Sequence, residues 1–351
     1  MRRLPLLLLL LLAHCASRAV PEVNDEMARR TAVEPERLEN GRAIYLEKCH
    51  RCHEQVPPGK LDPDLFEMML LNVRTRDERR GDYNAQFAAL GLARRRLLEI
   101  AGKDLVAMSV NDILTTGGDP LLFLDYIGIA ALDEARITRL IAGMADYLES
   151  CNCILAGGET AEMPGIVPED VIELSGFCIG CAEKSELIDP TTIAVGDVLV
   201  GYASNSIHAN GWSLVRRVLR EHPGELADSE LLGLLEPTRL YDDVVAGLRG
   251  AGIRPRAMSH ITGGGLPENL ERLFRGCGAE LEIPRWELPG IDKLLRHVDA
   301  EDRFHTFNMG IGWVAIVSPE DADAAAAAGP GGVVIGRVVP EEGVRVAVRG
   351  E

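Results

Sequence analysis

Asp104-Leu105-Val106-Ala107-Met108-Ser109-Val110-Asn111-Asp112 is the stretch from which the fold is read. At helical spacing Asp104, Asn111 and Asp112 fall at i, i+7 and i+8, on one polar face, with apolar residues around the rest. The pattern predicts an amphipathic helix over 104–114, ended by Gly117-Gly118. Two carboxylates and an amide on one face suit a Mg²⁺ ion whose shell phosphate oxygens complete. Periodicity alone reads the same face as solvated.

Beyond this helix, apolar strands alternate with helices, which is an α/β texture. Strands are expected at 120–131, 154–156, 173–182, 197–203 and 307–317, and helices at 137–150, 211–219 and 267–274. The alanine run at 324–328 before Gly-Pro-Gly-Gly is a helix end and turn. No internal repeat is present.

Three glycine-bearing stretches carry chemistry. Ala156-Gly157-Gly158-Glu159-Thr160-Ala161 reads as a strand entering a glycine turn, with close backbone approach to a phosphate and Glu159 as a second Mg²⁺ ligand. Ser204 to Trp212 puts His208 and Asn210 in a loop before a helix, where anions are favoured. Thr262-Gly263-Gly264-Gly265 precedes another helix, with Thr262 and Asn269 as polar contacts. Together with the acidic helix face, these turns point to a phosphate-rich ligand with Mg²⁺.

The first hundred residues have another character. Met1-Arg-Arg and the leucines from Leu4 to Leu12 fit a signal-peptide-like leader over 1–20, too short to span a bilayer. A mistaken start codon is the alternative. Leu12-Ala13-His14-Cys15 loosely matches a lipoprotein processing site. Residues 21–40 read as a linker. Residues 41–101 read as a small all-helical unit containing Cys49-His50-Arg51-Cys52-His53, the C-x-x-C-H pattern of covalent haem c attachment. Cys49 and Cys52 would bond the haem and His53 would ligate its iron. Met68 or Met69 is the candidate for the sixth position, and core packing is the other reading of both.

The formal net charge of −17 over 351 residues argues against broad nucleic-acid binding. No downstream stretch is apolar and long enough for a transmembrane span. The eight cysteines are irregularly spaced, unlike a disulfide framework. Cys178-Ile-Gly-Cys181 lies in a strand pattern, where alternation sends the two sulfurs to opposite faces, against zinc.

Residues 104 to about 345 resemble phosphoribosylformylglycinamidine cyclo-ligase, also called aminoimidazole ribonucleotide synthetase. The matching blocks are DLVAMSVND, FLDY at 123–126, LAGGETAEMPG, GFCIG, HANGWSLVR, LLEPTRLY at 234–241, SHITGGGLPENL and TFNMGIG at 306–312. The wider superfamily includes selenophosphate synthetase and thiamine-monophosphate kinase. Residues 38–101 resemble a class I cytochrome c domain. The resemblance implies an α/β body truncated at its front: a partial N-terminal synthetase domain at 104–185 and a C-terminal one at 186–351. It implies ATP and Mg²⁺ as cofactors, a ribonucleotide substrate, a homodimer, and ring closure in purine biosynthesis. It assigns Asp112 and Glu159 to Mg²⁺ with Asp104 in support. His208 and Asn210 would contact phosphate or substrate, and Gly263–Gly265 would shape the pocket. The family's S-G-T-D-G-V-G-T-K loop has no counterpart in residues 1–103, so weak activity and exposed sheet edges are expected. The synthetase body implies the cytoplasm, whereas the leader and haem motif imply the periplasm or a membrane-anchored lipoprotein. The alternative readings are an exported c-type haem electron-transfer protein with a relic body, and an artefactual gene fusion.

Overall fold

The computed structural model describes residues 94–169 and 171–350, all within one compact unit. The leader, the linker, Cys49, Cys52, His53, Met68 and Met69 lie outside the described residues.

Helix α1 runs unbroken from Arg94 to Thr115. It crosses the 101/104 boundary that the change of texture suggested, so Gly102 is a helix-interior residue and not a seam. The reason lies in packing. A Cβ at Gly102 would collide with the backbone at Leu140 and Met144, and one at Gly143 with the backbone at Glu99. Both contacts are made with helix α2 (Glu134–Ser150), so the paired glycines let the two backbones approach closely. Asp133 caps α2 by accepting from Arg136 N at 3.2 Å.

Behind α1 lies a three-stranded sheet ordered β2-β1-β3, formed by β1 (Asp119–Ile129), β2 (Ile154–Glu162) and β3 (Ile172–Cys181). β2 is parallel to β1, and β3 is antiparallel to it. The expected glycine turn after Ala156 is not a turn. β2 continues through Gly157-Gly158 to Glu162; a register shift opposite Phe123/Leu124 leaves Ala156 without a partner, and Gly157, at φ 149°, pairs with Leu124. Gly158 faces Asp125, whose carboxylate leaves no room for a Cβ. In β3, Cys178 is half-buried against the core and Cys181 is exposed, as alternation requires.

The second half carries a six-stranded sheet ordered β5-β7-β4-β8-β6-β9. Its strands are β4 (Val198–Ala203), β5 (Ala257–His260), β6 (Gly278–Ile283), β7 (Ile311–Val317), β8 (Gly332–Val339) and β9 (Gly343–Val348). Around them pack α3 (Trp212–Glu221), α4 (Asp228–Leu234), α5 (Asp242–Gly250), α6 (Gly265–Glu271), α7 (Ile291–Leu295), α8 (Ala300–Thr306) and α9 (Ala322–Ala327). β7 is buried at every position, which explains its uninterrupted apolar sequence. It starts four residues later than its sequence suggests, because Met309 (φ 51°) and Gly310 (φ 87°) turn the chain first. One apolar cluster joins Leu105, Val110 and Phe123 of the first half to Val200, Tyr241 and Trp313 of the second. No helix among the described residues is long and apolar enough to cross a membrane.

Candidate functional site

The polar face of α1 is docked on the second half rather than solvated. Asp104 Oδ1 accepts from Thr238 N at 2.7 Å. Asn111 Nδ2 donates to Arg239 O at 2.9 Å, and Asn111 Oδ1 accepts from Tyr241 N at 3.1 Å. Asn111 is wholly buried and thus holds α1 to the 238–241 segment. Its Nδ2 also meets His260 Nε2 at 3.3 Å, while His260 Nδ1 meets Asp112 Oδ1 at 3.3 Å. With the amide fixed as donor, Nε2 is the acceptor and the imidazole proton sits on Nδ1, pointing at Asp112. The Asp112 side chain remains 47% exposed, which leaves its second oxygen open to a ligand.

From Thr238 the network reaches the 204–211 loop, because Ala209 N donates to Thr238 Oγ1 at 3.1 Å. His208 adopts φ 59° and is buried. Its Nε2 lies 3.0 Å from Asn205 Oδ1, and Asn205 Nδ2 is engaged by Pro237 O. Nε2 therefore donates, and Nδ1 is a bare lone pair. Burial lowers the His208 pKa to about 3, and the positive Arg239 guanidinium adds to the effect. His208 Nδ1 and Asn210 Nδ2 are both buried with no partner. Such groups are costly unless something else satisfies them. Burial raises Asp104 to about 6, against the lowering effect of its Thr238 hydrogen bonds.

The glycine turn closes the same site. A Cβ on Gly263 would sit 3.5 Å from Asn210 Oδ1. Gly264 (φ 89°) and Gly265 (φ 59°) start α6 in left-handed geometry, and Phe304 O lies too close to Gly265 for any side chain. Asn269 is consumed inside this turn: its amide donates to the carbonyls of Thr262 (3.3 Å), Gly263 (3.1 Å) and Gly265 (2.7 Å). Thr262 Oγ1 donates back to Asn269 Oδ1 at 3.2 Å.

Asp104, Asn111, Asp112, His208, Asn210, Thr262 and Gly263–Gly265 are thus drawn into one region. Gly157, Gly158, Glu159 and Thr160 are not. β1 runs back along α1, with Ile113 beside Gly118 and Gly180, and Leu105 and Ser109 beside Gly176. Glu159 pairs with Tyr126, next to the Asp125–Gly176 pair that lies beside Leu105 and Ser109 in the middle of α1, whereas Asp112 sits near its end. Glu159 is exposed, and no group of three or more His, Cys, Asp or Glu suited to a metal exists among the described residues. Mg²⁺ needs only one or two carboxylates when phosphates complete its shell, and the open oxygen of Asp112 fits that smaller requirement. His260, Thr238, Arg239 and Tyr241 belong to the site but were not singled out from sequence. The one available signal was His260 three residues before the triple-glycine run.

Two family models cover most of the described chain: AIR synthase related protein, N-terminal domain, over 95–182, and its C-terminal domain over 194–349. Phosphoribosylformylglycinamidine cyclo-ligase of Prochlorococcus marinus is 41% identical over 264 residues, covering 72% of this chain and 73% of that protein. The enzyme of the same name from Burkholderia multivorans is 47% identical over 237 residues, covering 65% and 67%. The chain belongs to the phosphoribosylformylglycinamidine cyclo-ligase family. The family match begins at residue 95, one position into α1, in agreement with a helix that crosses the expected boundary. Solved structures share the fold at lower identity. E. coli HypE, a hydrogenase maturation protein, superposes with TM-score 0.55 at 21% identity over 70% of this chain and 76% of that one. Thiamine monophosphate kinase from Aquifex aeolicus gives 0.52 at 19%, over 71% and 81%.

Proposed function

We propose that this chain closes formylglycinamidine ribonucleotide to aminoimidazole ribonucleotide at the expense of ATP. What carries the reading is the pair of buried, unpartnered atoms His208 Nδ1 and Asn210 Nδ2 beside a glycine turn, in a chain spanning 73% of a relative named for that reaction. The formamide oxygen attacks the γ-phosphorus and ADP leaves. The amidine nitrogen then attacks the activated carbon and loses a proton, and phosphate departs with the former formamide oxygen. His208, held neutral, accepts a hydrogen bond from an amidine N–H through Nδ1 and orients the nucleophile. Asn210 Nδ2 donates to a phosphate or formamide oxygen, and Gly263–Gly265 admit the phosphate to the backbone. Asp112 would hold Mg²⁺, which supplies charge neutralisation for the transferring phosphoryl group. The working compartment on this reading is the cytoplasm, and a second copy of the chain covers the open face of the three-stranded sheet.

The test is ATP-dependent ring closure by the purified chain and by a version whose residues 1–93 are exchanged for a family N-terminal segment that carries the S-G-T-D-G-V-G-T-K loop. Phosphoryl transfer depends on positioning and charge neutralisation. Slow turnover by the parent and a large gain on exchange are expected. Absence of product in both forms contradicts the function, and equal rates contradict the role given to the loop.

A further inference from the structure

A second cavity opens on the far side of the segment that walls the candidate site. It measures about 430 Å³, within the usual range for small-molecule pockets, and lies between α7, α8 and the ends of β6 and β9. Arg285, Arg296 and Arg303 line it against one carboxylate, Asp292. This concentration of positive charge stands out in a chain of net charge −17. Arg285 holds Asp292 at 2.6 Å, and Arg296 lies 3.9 Å from Glu225. Arg303 spends its Nε on Val298 O at 3.1 Å, and its two terminal nitrogens have no partner among the described residues. Trp286 and Phe304 provide half-buried aromatic surface in the same wall.

We propose that this cavity binds a nucleoside monophosphate, with the base against Trp286 and Phe304 and the phosphate on Arg303 and Arg285. Guanidinium pairs recognise phosphate in a planar fork, and aromatic rings stack on bases. The occupant would touch a wall shared with the candidate site. Met309 lines the cavity at φ 51°, while the adjacent Asn308 donates to Ser206 O at 3.0 Å and accepts from Ser204 Oγ at 3.0 Å. Ser204 N also donates to Gly310 O at 2.9 Å. Phe304 O abuts Gly265. A ligand that moves the 304–310 segment is therefore felt in the loop carrying His208 and in the glycine turn.

The experiment is calorimetric titration of the full chain with AMP, adenosine, ribose 5-phosphate and inorganic phosphate. AMP should bind at one site. Adenosine and ribose 5-phosphate should each bind at least about tenfold more weakly, since each lacks one of the two recognition elements. Arg303→Ala and Trp286→Ala should each cost at least about tenfold in AMP affinity, and Trp286→Phe should restore most of the loss. Arg285→Ala, an exposed position whose loss leaves the fold intact, should weaken AMP in the same direction. Asn210→Ala should leave AMP binding unchanged. Phosphate binding as tightly as AMP would overturn the assignment by showing a bare anion site. So would AMP affinity that follows Asn210 and ignores Arg303, Arg285 and Trp286, or absence of AMP binding.

Discussion

Asn111 illustrates how a residue read as a metal-face polar group serves as a clamp. Its amide satisfies one backbone carbonyl and one backbone N–H of the 239–241 segment and fixes the His260 tautomer. Asn111→Ala leaves these buried groups unpaired, and about 1–3 kcal/mol of stability should be lost in urea unfolding. A loss near zero would show that the segment repairs itself with water. His208 and Asp104 titrate with opposite consequences. The folded His208 resists protonation down to about pH 3, whereas an unfolded histidine takes a proton near 6.5. Its contribution to stability is therefore full above 6.5 and falls as pH drops from there. Folded Asp104 keeps its proton up to about pH 6 against 3.8 when unfolded, so its contribution falls as pH rises through that window. The stability difference between the parent and His208→Gln should move against the parent as pH is lowered from 7 to 4. For Asp104→Asn the difference should move in the parent's favour over the same range. A flat difference for either variant would remove the burial assigned to it. Sequence showed that 104, 111 and 112 share a face. It did not show that the face is docked, since a helical period is blind to which partner covers it.

At the scale of elements, alternation and helical period located β1, β3, β4 and β7 and the helices α1, α2, α3 and α6, but gave no expectation for β5, β6, β8, β9, α4, α5, α7 or α8. Two of the misreadings turn on glycine. Gly157 was read as the start of a turn because glycine punctuates sequence, yet it lies inside β2, and the next residue, Gly158, meets the Asp125 carboxylate. The change of texture near Lys103 falls inside α1, where Gly102 meets the α2 backbone. Gly143 faces α1 in the same way. Ala at an exposed helix site gains roughly 1 kcal/mol over Gly, but a Cβ at Gly143 would meet the Glu99 backbone. Gly143→Ala should thus destabilise by about 1–3 kcal/mol, the usual cost of overpacking. Stabilisation by the same substitution would show that the α1–α2 crossing is looser than described. β2 was shortened for a related reason: the bulge that keeps Gly157 in a strand depends on its pairing with β1, which no local pattern records.

For the whole molecule, the face of the small sheet turned away from α1 carries Leu122, Leu124, Ile154, Phe177 and Ile179, with Ile154 62% and Phe177 56% exposed. Large exposed apolar groups on one sheet face mark an interaction surface. The proposed homodimer should appear in sedimentation equilibrium, and Phe177→Glu should shift it to monomer with its unfolding midpoint no longer dependent on concentration. A monomeric parent would count against the dimer. The α/β texture was legible because apolar strands alternate with helical patterns along the body, whereas the division into two halves came from the family resemblance. The centre of the site was not, because it forms where α1 meets the 204–211, 238–241 and 260–265 segments, far apart in sequence. That placement of the site is the central claim, and calorimetric titration with ATP and Mg²⁺ tests it most directly. Asp112→Asn should weaken Mg²⁺-dependent ATP binding strongly, because it removes a carboxylate from the ion's shell. Asp133→Asn, at a helix cap that Asn also fills well, should leave it unchanged. Equal effects from the two substitutions would contradict the account.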